Sequence, residues 1–386
     1  MTGRSPDRSL RVPFNKPSFA GKELQYIEDA VRSGHISGDG KYTERCQAVL
    51  EAWYQGSKVL LTTSCTDALE MAALLLDLRP GDEIIVPSFT FVSTVNAFVL
   101  SGARPRFVDI RPDTLNLDEG QVERHLTSRT KAIVPVHYAG VGCAMDRIME
   151  TARRHGIAVV EDNAHGLFGI CAGKPLGMFG ALAALSFHET KNVICGEGGA
   201  IVINDRRLVE RAEVVRAKGT NRSRFDRGEV AKYEWIDSGS SFLPSDILAA
   251  FLLAQLEAKD RIQAKRRGLW DAYRRSLAGW AQEHGVGLPT VPEQCEQAYH
   301  MFYLLLPSPA HRDGLKAYLG SRGCLSVFHY SPLHVSPMGR QFGGREGDCP
   351  VAEDVSRRLL RLPFYTGMTD EEQAVVLDAV LEYAWG

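Results

Sequence analysis

Between about Lys58 and Asn204 the chain repeats one pattern: a short apolar run, a polar or glycine-containing break, then a helical stretch. "KVLLTT", "DEIIVPS", "RPRFVDI", "KAIVPVHY", "IAVVEDN" and "ALAALSF" are the apolar runs, rich in Val, Ile and Leu. Near-continuous runs of this kind suit strands buried on both faces. "SCTDALEMAALLLD", "FVSTVNAFVLSG" and "AMDRIMETARRHG" between them carry helical spacing. The alternation predicts an α/β fold with a mostly parallel central sheet and helices on both faces. In such sheets ligands sit beyond the carboxyl ends of the strands, so the residues after each strand are the candidates for function.

From about Ser245 the character changes. "SDILAAFLLAQLEAKDRIQAKRRGLWDAYRRSL" predicts a long helical stretch extending past Arg261, enough to carry the chain out of the first unit. "YHMFYLLL", "CLSVFHY" and a final helix after Met368 then predict a smaller C-terminal α+β domain. The expected organisation is a mobile tail over residues 1–12, a large domain over 13–255 and a small domain over 256–386.

Bulk properties narrow the function. The 386 residues carry a formal net charge of −2, which gives no basic field for nucleic acid or anionic lipid. No apolar run is long enough for a signal peptide or a membrane span, so a cytoplasmic protein is expected. The eight cysteines are scattered without a C-x-x-C pair or a zinc-type grouping with histidine. They are expected to be reduced and mostly buried, and no structural metal is expected.

Four clusters follow the strands. Ser64-Cys65-Thr66-Asp67 opens a helix, where backbone N–H groups and hydroxyls suit a phosphate, although Ser64 with Asp67 also resembles a capping box. In "PSFTFVST" Phe89 and Phe91 are either core or a stacking surface, and their alternation lets only one face a cleft. In "VVEDNAH" Asp162 ends a buried run beside Glu161 and needs a partner: an arginine, a helix N-terminus or a cationic ligand nitrogen. His165 follows three residues later. In "SFHETKNVICGEGG" Ser186 ends a strand, Lys191 follows, and glycines leave room for a bulky ligand. Lys191 alone reads equally as a solvated loop lysine. "GEGG" precedes a strand instead of opening a helix, so it is no dinucleotide fingerprint.

Together these types match the needs of one cofactor. Pyridoxal 5′-phosphate (PLP) requires a lysine for an imine, an acid beside its ring nitrogen, a phosphate cup and a flat apolar surface against its ring.

In the order of "PSFTFVSTVNA", "VVEDNAH", "SFHETKN" and "GEGGAIV" the chain resembles the DegT/DnrJ/EryC1/StrS sugar aminotransferases, PLP enzymes of fold type I, from about Val12 to the final helix. "VLLTTSCTDALEMAALLLD", "VPVHYAGV", "KGTNRSRF" and "HMFY" resemble most the branch of TDP-4-keto-6-deoxyglucose 4-aminotransferases. The resemblance implies that Lys191 forms the Schiff base and Asp162 partners the ring nitrogen. His165 matches the residue at the ring hydroxyl, Phe91 the stacking aromatic, and Ser186, Cys65 and Thr66 the phosphate cup. "VFHYSPLH" resembles a segment that reaches the sugar, which makes His329 and Tyr330 substrate-side candidates. His188 matches a histidine near the active site. Many relatives carry a G-x-N segment that sends an asparagine to the neighbouring subunit's cofactor. Here "GSSFLPSD" places Ser241 at that position, with a shorter reach. The implied assembly is a homodimer with shared sites.

The implied activity moves an amino group from L-glutamate to C4 of a TDP-linked 4-keto-6-deoxyglucose, giving a TDP-4-amino-4,6-dideoxyhexose. Three rival readings make different demands on the sequence. A sugar dehydratase of the same fold replaces the imine lysine with histidine. A non-catalytic regulator would show degraded cofactor residues. An NAD-dependent nucleotide-sugar enzyme would need a fingerprint where "TTSCTDA" stands.

Overall fold

The computed structural model describes residues 11–385. Its centre is a seven-stranded sheet. Five strands come first along the chain: β1 (Lys58–Thr62), β2 (Glu83–Pro87), β3 (Arg104–Val108), β4 (Thr130–Ile133) and β5 (Ala158–Asp162). The two-residue strands β6 (Ile170–Cys171) and β7 (Lys174–Pro175) form a small outlying ribbon with β10 (Cys295–Glu296). β8 (Leu182–Ser186) and β9 (Gly199–Ile203) complete the central sheet, in the order β1-β9-β8-β5-β4-β2-β3. β9 is antiparallel to both neighbours and the other pairings are parallel. Pro105, which has no N–H to donate, lies on the edge strand β3.

Side chains alternate between faces, as a strand requires. Leu60, Ile84, Val86, Val160, Leu182 and Ala184 meet α3 (Cys65–Leu75) and α4 (Ser93–Val99) on one face. Val59, Leu61, Ala183, Leu185 and Val202 meet Tyr42 and Leu50 of α2 (Lys41–Trp53), with Ala249 and Leu253, on the other. Ile85, Ile133 and Val159 cover the amphipathic helix Met145–His155, which Gly156 ends at φ 65° in the left-handed region.

The long helical stretch after Ser245 is two helices, Asp246–Glu257 and Lys259–Glu283, separated at Ala258. Ala258 (φ −96°, ψ 9°) bonds back to Gln255, three residues away, so the turn between the two helices is tightened. Ile262 packs with the sheet-side core, whereas Leu269, Trp270, Tyr273 and Leu277 belong to a second core. That core surrounds the antiparallel pair β11 (Tyr303–Leu305) and β12 (Leu359–Arg361) with the helices Pro309–Ser321 and Asp370–Leu381. We place the domain boundary expected near residue 255 inside the Lys259–Glu283 helix, between Ile262 and Leu269. The expected N-terminal tail lies outside the described residues as far as residue 10. Val12 is buried in the second core, bridges Cys324, and takes its place there through hydrogen bonds to Gly323 and Leu325. Val12, inside the expected tail, is thus held against the C-terminal unit.

Candidate active site

β1, β2, β5 and β8 run parallel, so Thr62, Pro87, Asp162 and Ser186 end at one edge of the sheet. Beyond that edge lies a cavity of about 580 Å³. Cys65, Thr66, Phe91, Asp162, His165, Ser186, His188, Lys191, His329 and Tyr330 all line it. Of the residues expected to touch cofactor or substrate, Ser241 alone is absent from this wall. Its backbone bridges Ala217, and it is exposed outside the cavity of its own chain.

The two carboxylates at the end of β5 have separate tasks. Glu161 is fully buried and accepts hydrogen bonds from the backbone N–H groups of Gly177, Phe179 and Gly180 at 2.7–2.8 Å. His137 Nδ1 accepts from Cys143 N–H, so its Nε2 carries the proton and donates to Glu161 at 2.8 Å. That carboxylate is spent on holding the loop after β7. Asp162, one residue on, points the other way and lines the cavity. It accepts from the Thr94 hydroxyl at 2.7 Å and the Ala164 N–H at 3.1 Å, and no Lys or Arg nitrogen among the described residues lies within 4.0 Å of it. Its partners are therefore two neutral donors, and a cationic ligand nitrogen remains to be supplied.

Lys191 is held after β8 by a tight turn, its own N–H bonded to the His188 carbonyl at 2.9 Å. Burial pushes its amine down from 10.5 to about 8, helped by the Arg361 guanidinium and opposed by Cys65 and Asp162. A neutral amine is thus within easy reach, as imine chemistry requires. His188 Nδ1 accepts from the Thr190 N–H at 3.3 Å, so the proton sits on Nε2, 3.6 Å from Glu197 at the rim. His188 thus shapes the turn that presents Lys191.

At α3, Ser64 accepts from the Asp67 N–H at 3.0 Å. The capping box is incomplete, because the Asp67 carboxylate turns instead to the Thr63 hydroxyl. The N–H groups of Cys65 and Thr66 start the helix and have no intrahelical acceptor. With Ser186 they form the polar end of the cavity. Capping and anion binding coexist here because they use different atoms. Phe89 is 1% exposed and packs on Tyr138 and Tyr330, whereas Phe91 is 56% exposed and faces the cavity. The glycines act differently from the expectation. A Cβ on Gly199 would stand 2.3–2.4 Å from the backbone of Ser64 and Cys65, so this glycine lets β9 approach α3. Gly198 is the one that lines the cavity.

Five lining or supporting residues escaped the sequence reading. His300 lies within "HMFY" and stacks on His165, with ring centroids 4.3 Å apart. Its Nδ1–H donates to Asn192 Oδ1 at 3.0 Å, and Arg266 fixes the Tyr299 and His300 carbonyls. Thr94 supports Asp162 from the first turn of α4. Arg361 enters from β12. Its one sequence signal was a charge inside the apolar run "LLRLP".

A family model described as the DegT/DnrJ/EryC1/StrS aminotransferase family matches residues 17–381. The chain belongs to this family. It is 31% identical to the spore coat polysaccharide biosynthesis protein SpsC of Bacillus subtilis (strain 168), over 98% of each chain. DesV of S. venezuelae is 32% identical with a TM-score of 0.87, covering 97% of this chain and 98% of that one. Spr1654 of Streptococcus pneumoniae in its PMP form superposes with a TM-score of 0.89 at 26% identity, covering 96% and 98%. The fold is that of the PLP-dependent aminotransferases, and PLP is the cofactor. The cavity fits it on its own evidence. The buried Nδ1 of His165 has no hydrogen-bond partner, Asp162 lacks a cation, and the Lys191 amine has a lowered pKa.

Proposed function

We propose that this sugar aminotransferase carries an amino group from L-glutamate to C4 of a TDP-linked 4-keto-6-deoxyglucose, giving a TDP-4-amino-4,6-dideoxyhexose. The observation that carries the reading is the meeting of Lys191, its amine shifted to about 8, and the cation-free carboxylate of Asp162 in one cavity.

PLP bound there supplies an electron sink for charge developing at the donor's α-carbon. The chain does the rest. Cys65 and Thr66 N–H groups with the Ser186 hydroxyl hold the phosphate. Asp162 keeps the ring nitrogen protonated, held in place by Thr94. His165, neutral because burial and the Lys191 and Arg361 charges depress its pKa well below 6.5, offers its free Nδ1 to the ring hydroxyl. Phe91 covers a ring face. Lys191 would move the proton at the donor's α-carbon. His329 and Tyr330 line the sugar side, and His188 the rim.

The same reading makes the protein a cytoplasmic homodimer. Phe225, Tyr233, Trp235 and Ile236 are exposed just upstream of Ser241, Trp235 by 80%, which is the kind of apolar surface a second copy covers. Ser241 would then reach the partner's phosphate cup. The test is direct: purified protein with PLP should show a visible absorption band that L-glutamate bleaches, and the TDP-keto sugar should restore it with formation of a TDP-amino sugar. A band that glutamate bleaches but no TDP-keto sugar restores would overturn the substrate assignment.

A further inference from the structure

Away from the cavity, two thiols meet. All eight cysteines are free. Cys46, Cys143, Cys195 and Cys324 each direct the thiol to a backbone carbonyl. Cys171 and Cys295 direct theirs to each other. They come from β6 and β10, 124 residues apart in sequence, and face one another directly across the outlying ribbon. The Cys295 thiol donates to the Cys171 sulfur. Leu176, with Phe179 and Val291 against it, completes an apolar cluster around the two sulfurs. Gly142 leaves them room, since a Cβ there would stand 2.9 Å from the Cys171 Cβ.

The register of the ribbon suits a covalent link. One rung away, the Ala172 N–H donates to the Gln294 carbonyl at 2.7 Å. Cys171 and Cys295 therefore occupy the rung without mutual backbone hydrogen bonds, where facing side chains come closest. Cα atoms at such a rung stand about 4.5 Å apart, inside the ~4.4–6.8 Å range of disulfides. Joining the two sulfurs thus needs no movement of either strand. The pair also lies just under the surface. Both residues are buried, yet Ala172, Gly173, Gln294 and Glu296 beside them are exposed, so a small oxidant has a short way in. The hydrogen bond from Cys295 lowers the pKa of Cys171 and makes it the sulfur that ionises first.

We propose that Cys171 and Cys295 form an oxidisable dithiol, which hydrogen peroxide closes into a disulfide that fastens the C-terminal unit to the sheet domain. The Cys171 thiolate attacks one peroxide oxygen and the O–O bond breaks. The other oxygen leaves as hydroxide and takes up the proton that Cys171 released. The Cys295 sulfur then attacks the sulfenic sulfur of Cys171, the S–O bond breaks, and that oxygen leaves as water with the Cys295 proton. Two electrons pass from the thiols to one peroxide, and two waters form. The new bond lies shortly before Ala298, whose N–H donates to the Gly140 carbonyl and whose own carbonyl accepts from Asn192. It closes a long loop across the junction of the two units, which restricts the unfolded chain. Neither cysteine lines the cavity, so the bond acts on stability.

The test treats folded wild-type protein with dilute hydrogen peroxide, then unfolds it and counts thiols. The count should fall by two from eight, and dithiothreitol should restore it. Mass spectrometry of non-reduced peptides should find Cys171 joined to Cys295 with the loss of two hydrogens. The oxidised sample should melt about 5 °C above the same sample after dithiothreitol. Any methionine sulfoxide survives dithiothreitol and cancels in that comparison. Cys171→Ser and Cys295→Ala should each form no such link and show no shift with dithiothreitol. Wild type that keeps all eight thiols overturns the inference, as does a link between other cysteines. Equal melting before and after dithiothreitol overturns it too, because the closed bond would then fasten nothing.

Discussion

Thr94 Oγ1 donates to Asp162 Oδ2 across 2.7 Å, joining the start of α4 to the end of β5. Thr94 is in turn 2.8 Å from the Thr90 hydroxyl, so a short chain of hydroxyls sets the orientation of the carboxylate. Asp162 lies at the centre of the proposed chemistry, and Thr94 positions it. Thr94→Val should preserve the fold and leave Asp162 free to swing. A charge-assisted hydrogen bond contributes about 1.5–3 kcal/mol, so PLP affinity and kcat should together fall by at least about tenfold. Unchanged PLP affinity and turnover in equilibrium titration and steady-state kinetics would show that Asp162 needs no such support.

Lys191 makes a second prediction, read without substrate. Its folded pKa of about 8 lies below the usual 10.5. Between these values the unfolded chain binds more protons than the folded one, so the stability contribution of Lys191 rises with pH through that window. Chemical denaturation of the cofactor-free protein should show wild type gaining on Lys191→Met between pH 8 and 10.5. Below pH 8 the difference should be flat. Lys191→Ala should retain the fold and lose the visible band with PLP.

The buried histidines give the opposite end of the pH range. His165, His300 and His329 are all held well below 6.5, first by burial and then by neighbouring cations. The unfolded chain therefore takes up protons that the folded chain refuses, and stability falls as pH drops below about 6.5. His300→Phe should keep the stack on His165 and lessen this acid sensitivity. Thermal melts from pH 7.5 to 5 would measure it, and an identical pH slope in the variant would contradict the neutral state of His300.

Gly199 should tolerate no side chain. A Cβ there meets the Ser64 carbonyl carbon at 2.3 Å and the Cys65 nitrogen at 2.4 Å, both backbone atoms that cannot rotate aside. Gly199→Ala should cost about 1–3 kcal/mol in unfolding experiments and weaken PLP binding, because the start of α3 must shift. Gly196→Ala is a useful contrast, since that position at φ 89° is strained by backbone conformation and has open space around it.

Ser241 tests the shared site. Ser241→Ala should leave the folded chain intact and lower PLP affinity by at least about tenfold, the worth of one hydrogen bond to a charged phosphate of about 1.5–3 kcal/mol. Sedimentation should show a dimer, and Trp235→Glu should dissociate it. A monomeric, fully PLP-competent wild type would remove Ser241 from the phosphate cup.

Much of this site was legible along the chain because its parts are local. Asp162 and Ser186 end strands, Lys191, Cys65 and Phe91 follow strands by a few residues, and an apolar run announces its own end. Parallel strands then bring those ends to one edge whatever the intervening helices contain. That only one of Phe89 and Phe91 faces the cleft was also read from the sequence, while the choice of Phe91 came from the resemblance of its place in the motif. What the chain alone could not decide was partnership. Thr94 with Asp162, His300 on His165, and Arg361 beside His329 join segments 68, 135 and 32 residues apart. Whether a carboxylate is neutralised or left waiting depends on which side chains arrive at hydrogen-bond distance, and only packing of the second core against the sheet edge sets that. Glu161 and Asp162 show the division most sharply. Adjacent in sequence and both buried, they differ because the strand turns one toward three backbone amides and the other toward the cavity.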